Sequence, residues 1–150
     1  MTFRGAVAAL CVVAAACAGI NVRTNSFGTL AEAVTAGAVD NGWLPAGLPP
    51  GTREIRTAHV PGTNDCWGLF DFSESDREPL RAMLQREEVP LAGRTVSVPG
   101  RIEWWPIALR GTLDPGALAD TGLKAHLISD GSRIVAVNWN QGRAYYWSAR

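Results

Sequence analysis

The chain has 150 residues, of which 47% are hydrophobic and 19% charged, and its formal net charge is zero. Such a composition excludes a disordered chain, and the balanced charge excludes a field that would recruit nucleic acid or anionic lipid. Lys124 is the only lysine among 14 basic residues, and the arginines are scattered, which reads as codon bias rather than as a phosphate-binding cluster.

Residues 1–16 begin with one charge, Arg4, and continue as an unbroken run of apolar and small residues from Gly5 to Ala16. That run is shorter than the roughly 20 residues a bilayer-spanning helix needs. It has the order of a cleaved signal peptide: basic start, apolar middle, small-residue end. Two cleavage chemistries remain open. Ala14-Ala15-Ala16 fits ordinary signal peptidase, whereas the same residues before Cys17 resemble a lipobox whose cysteine becomes diacylated. The lipobox is the preferred reading, although Ala14 stands where such motifs usually carry Leu. Residues 17–28 are then a polar tether and residues 29–150 a single domain, about the usual size for one core.

Within the domain, Thr29 to Ala38 reads as a short helix stopped at Gly37. Gly42 to Gly51 holds three prolines and three glycines and reads as an ordered loop anchored by Trp43, Leu44 and Leu48. Thr52 to Val60 is an irregular strand, residues 61–65 a turn, and Cys66 to Phe72 a central strand apolar on both faces. Ser73, Ser75 and Asp76 are candidate N-caps for a helix with Leu80, Met83 and Leu84 as its buried stripe. Residues 89–115 are punctuated by Pro and Gly, with one possible strand at Thr95 to Val98. Gly122 to Ser129 and Arg133 to Trp139 flank Asp130-Gly131, a hairpin signal, and Asn140-Gln141-Gly142 turns the chain into a last strand, Arg143 to Trp147. The fold class predicted is α+β: an antiparallel sheet of about five strands with two helices on one face, preceded by the signal peptide.

The chemistry is sparse. His59 and His126 have no second His, Cys or carboxylate at a metal-ligand spacing, and no phosphate loop, CxxC, HExxH or GxSxG pattern occurs. No metal, cofactor or nucleic-acid partner is therefore expected. Asp65, Asp71, Glu74 and Asp76 read as a solvated turn and helix caps near one strand end. Cys66 reads as a buried inert thiol, since no His, Lys or Arg adjoins it in sequence. Of the six tryptophans, Trp67 and Trp139 have the pattern of core, while one of the adjacent pair Trp104 and Trp105 must face outward on an extended chain.

Gly42-Trp43-Leu44-Pro45, Leu48-Pro49-Pro50, Ile55, His59, Thr63-Asn64 and Trp67 to Phe70 together resemble the YbbD head domain, a family of small bacterial envelope proteins. Trp104-Trp105-Pro106 and Ala144-Tyr145-Tyr146-Trp147 are similar too. The resemblance spans most of Ala31 to Trp147. It implies a short lipoprotein or secreted protein of compact α+β fold and carries no catalytic residues with it. The functional expectation is a lipid-anchored, noncatalytic binding or interaction domain of the cell envelope. Cys17 is its link to the membrane, the outer one if the host has two, with soluble periplasmic or secreted protein as the alternative location. An envelope protein or a small ligand is the expected partner. His59, Asn64, Trp67, Trp104 and Trp105 are the candidate signature positions, functional or structural. The alternatives are an envelope hydrolase built on His59 and a nearby carboxylate, or a small periplasmic inhibitor or immunity-like protein.

Overall fold

The alternating apolar segments pair into one antiparallel sheet. The computed structural model describes residues 21–149; residues 1–16, read from the sequence as a signal peptide, and Cys17 lie outside them. The main sheet is formed by β1 (Arg23–Thr29), β2 (Arg53–His59), β3 (Cys66–Asp71), β4 (Leu84–Glu88), β7 (Lys124–Ile128), β8 (Arg133–Asn138) and β9 (Arg143–Ser148). Their spatial order is β1-β2-β3-β9-β8-β7-β4. β5 (Thr95–Val96) and β6 (Gly111–Thr112) make a separate two-stranded ladder. The α+β class stands, with seven strands in the main sheet where about five were expected.

Two of the additional strands correct the sequence reading. Residues 23–28, taken as the end of the tether, form edge strand β1 together with Thr29, in register with β2 through pairs such as Phe27↔Ile55. Leu84, taken as part of a helical stripe, opens β4. Gln85, Arg86, Glu87 and Glu88 favour helix intrinsically, but the backbone gains more from the exposed edge of β7, pairing Leu84↔Ile128 and Glu88↔His126.

Both faces of the sheet are covered. On the first, Ile55, Phe70, Val135, Val137, Ala144 and Tyr146 pack against Ala33 of α1 (Leu30–Thr35), Leu80 of α2 (Arg77–Ala82), and Leu44 and Leu48 of the Pro-rich loop. The two expected helices thus share this face. On the second, Trp67, Ala136 and Trp147 pack against Leu91, Val96, Ile102, Trp105, Leu109 and Leu113. This irregular layer also carries α3 (Pro115–Ala119), whose N-cap Asp114 accepts from Ala117 N–H at 2.8 Å. Strict alternation separates the two sets along each strand: in β8, Ile134 and Ala136 face the second layer and Val135 and Val137 the first.

Local chemistry sets the helix ends. Thr29 accepts from Glu32 N–H at 3.2 Å, while Glu32 reaches back to Gly28 N–H at 2.9 Å. Ser73 and Asp76 form a reciprocal capping box ahead of α2.

Candidate functional site

The turn at residues 60–65 joins β2 to β3 and places His59 directly opposite Cys66. Val60 N–H donates to Asp65 carbonyl oxygen at 3.1 Å, so Val60 and Asp65 form the hydrogen-bonded pair and His59 and Cys66 the closer, non-hydrogen-bonded one. Inside the turn, the Thr63 hydroxyl donates to Val60 carbonyl at 2.9 Å and accepts from Asp65 N–H at 3.1 Å. Asn64 contributes its carbonyl, which accepts from Ser148 Oγ at 2.6 Å and ties the turn to the end of β9.

His59 and Cys66 sit in the wall of a cleft of about 780 Å³, together with Arg23, Trp43, Asn64 and Arg133. The His59 ring lies flat on the Trp43 indole, centroids 4.3 Å apart and planes 10° from parallel. Trp43 is held there by its own backbone: its carbonyl accepts from the buried Tyr146 hydroxyl at 2.6 Å. His59 is only 8% exposed, and its Nδ1 is buried without a hydrogen-bond partner. Burial, and secondly the charge of Arg23, holds its pKa below the ordinary 6.5, so the ring is neutral at pH 7. An unpaired acceptor is tolerated in an interior better than an unpaired N–H, which assigns the proton to Nε2.

Arg133 enters from β8. Its Nη2 donates to Gly42 carbonyl and its Nε approaches Cys66 Sγ at 3.4 Å. The inert-thiol reading of Cys66 missed this cation because it comes from 67 residues away. The thiol is nonetheless 4% exposed and also contacts Ser148 Oγ at 3.5 Å.

A second cleft, of about 530 Å³, opens on the other side of the same strand ends. Its walls are mainly apolar, with Val60, Trp67, Val96, Val98, Ile134 and Trp147. Arg94 also lines it, and Arg94 Nε is buried without a partner. The two clefts share Asp65, Cys66 and Ser148.

The candidate signature positions separate accordingly. His59 and Asn64 come together in the first cleft. Trp67 packs within the second core layer and lines the second cleft. Trp105 is buried, donating from Nε1 to Leu109 carbonyl at 2.8 Å and meeting Trp147 edge-on. Trp104 is half-buried against it. The acidic residues do not cluster as the sequence suggested: Asp65 and Asp71 stand at opposite ends of β3, about 20 Å apart along a strand. Asp71 pairs with Arg143 at 2.6 Å, Glu74 with Arg77 at 3.0 Å, and Asp76 caps α2. Among the described residues, no group of three His, Cys, Asp or Glu side chains is placed to hold a metal, and no helix is long and apolar enough to cross a membrane.

Comparison with protein families matches residues 22–71 to the YbbD head domain. The matched span runs from β1 to the end of β3 and contains Trp43, His59, Asn64, Cys66 and Trp67, so this third of the chain is YbbD-head-like. Trp104-Trp105-Pro106 and residues 144–147 fall beyond the match. No curated protein and no solved structure matches the chain.

Proposed function

We propose that the protein is a noncatalytic binding domain of the bacterial cell envelope, held at a membrane by lipid on Cys17, with the cleft around Trp43 and His59 as its binding site. The observation that carries the binding reading is His59: a polar ring more than nine-tenths buried, fixed by stacking, with an unpartnered nitrogen, in the wall of a cleft. Leaving such a group unsatisfied costs about 1–3 kcal/mol, a common feature of sites completed by a ligand.

The hydrolase alternative finds less support. A general base needs a partner that orients it, and no carboxylate bonds His59 Nδ1. The inhibitor or immunity alternative calls for an exposed apolar patch; the exposed large hydrophobics among the described residues, Val34 and Ile107, lie on separate elements.

Two measurements test the proposal. Cells expressing wild type and Cys17→Ala are fed radiolabelled palmitate; wild type is expected to take up label and sediment with membranes, and the variant to do neither. An unlabelled, freely soluble wild type means ordinary secretion. Separately, a photo-crosslinking residue at Thr63, on the cleft rim, is expected to give a discrete adduct in intact cells, while the same residue at Gln141, in the β8–β9 turn at the opposite end of the sheet, does not. Equal labelling at both positions refutes the cleft as the binding site.

A further inference from the structure

The two clefts differ in chemistry and adjoin. Arg23 of β1 and Arg133 of β8 bring two guanidinium groups to the first cleft, against one carboxylate, Asp65. The neutral His59 ring adds an Nε2–H donor. Two cations minus one anion leave a net positive wall that is rich in N–H donors, the complement of a carboxylate or phosphate group. Beyond Asp65, Cys66 and Ser148, which belong to both clefts, the wall turns apolar at Trp67, Val96, Val98 and Trp147.

We propose that the two clefts together take an amphiphilic anion: a ligand whose carboxylate or phosphate head lies between Arg23, His59 and Arg133 and whose apolar chain passes Cys66 and Ser148 into the second cleft. This rests on the cleft reading above and specifies its ligand class. The head accepts from the Arg133 N–H groups beyond the two already donated to Gly42 and Cys66, and from Arg23 across the cleft. The chain covers aromatic and branched side chains that otherwise line an open cleft. Polarity is set by where donors converge: the first cleft has two arginines and a histidine, the second has Arg94 by itself.

The probes are inorganic phosphate, octyl phosphate below its micelle concentration, and octanol, each titrated into the full-length Cys17→Ala protein and followed by NMR at the His59 imidazole and the Trp67 indole N–H. Burial of two methylenes already corresponds to about tenfold in affinity. Octyl phosphate is therefore expected to bind at least about tenfold tighter than inorganic phosphate and to move both resonances, while phosphate moves His59 alone. Arg23→Gln, at an exposed strand position, is expected to weaken both anions and leave octanol unchanged. Octyl phosphate binding no tighter than phosphate overturns the joined-cleft proposal, and octyl phosphate binding no tighter than octanol overturns anion recognition. Loss of octyl phosphate binding in Arg94→Gln but not in Arg23→Gln overturns the assigned polarity. If no probe binds while the Thr63 adduct persists in cells, the ligand class is wrong and the cleft stands. If the adduct is lost as well, the cleft reading itself falls.

Discussion

Tyr146 crosses the sheet where its neighbour has no side chain. Gly68 faces it across the β3–β9 pair, and a Cβ there would collide with the phenol ring. Glycine in a strand interior is ordinarily a weakness; here it admits the ring, whose hydroxyl then fixes the Trp43 carbonyl and, through the indole, the plane of His59. The aromatic signature therefore acts first as architecture. Trp67 shows the same: it is 7% exposed and sits in register with Trp147. Trp67→Ala is expected to lower unfolding free energy by about 3–5 kcal/mol, measured by urea titration. A loss under about 1 kcal/mol would contradict its core role. His59 and Asn64 could be picked out from the sequence because strand and turn chemistry mark that segment. Arg23, Cys66 and Arg133 could not be assigned to the site, since their shared wall exists only once β1, β3 and β8 are assembled.

At the scale of elements, Asp76 links two segments the sequence keeps apart. Its carboxylate accepts from Ser73 Oγ at 2.6 Å and Ser73 N–H at 3.0 Å, and it lies so close to Gly51 that a side chain there would collide with it. The capping box thus also pins the end of the Pro-rich loop. The Ser73 hydroxyl bond is the chief reason that the Asp76 pKa falls below the ordinary 3.8. The folded state then binds fewer protons than the unfolded chain, so this contribution is complete above pH 3.8 and is lost as pH falls through the lower folded value. Asp76→Asn is expected to destabilise the protein at pH 7 and to leave less acid sensitivity below pH 4, measured as unfolding midpoints across pH 2–7. An unchanged acid limb would mean that other carboxylates set it. The caps and the Asp130-Gly131 hairpin were legible because each depends on a few adjacent residues. β4 was not, because its four polar residues carry no strand pattern and its pairing partner lies some 40 residues further on.

For the whole molecule, the sheet has a protected centre and two unlike edges. β9 has strands on either side and a packed layer on each face, whereas β1 and β4 each have one neighbour. Opening free energy follows that arrangement, so amide hydrogen exchange is expected to be slowest in β9 and β8 and fastest in β1 and β4. Protection of β4 equal to that of β9 would contradict the assigned order. β4 carries exposed Arg86, Glu87 and Glu88, charges of the kind that discourage further pairing at an edge strand. What the sequence by itself determined is local: helix caps, the turn at residues 61–65, the final hairpins and the α+β class, each governed by backbone preferences and side-chain periodicity within a few residues. Tertiary structure alone decided that β3 joins β9, that residues 23–29 and 84–88 become the edges, that residues 89–118 form a second covering layer, and that Arg23, His59, Cys66 and Arg133 share one wall. Those outcomes depend on matching apolar faces and strand registers between segments far apart in the chain, from Thr29↔Arg53 to Trp67↔Trp147, and such matches are settled by packing the whole chain at once rather than by any segment's own preference.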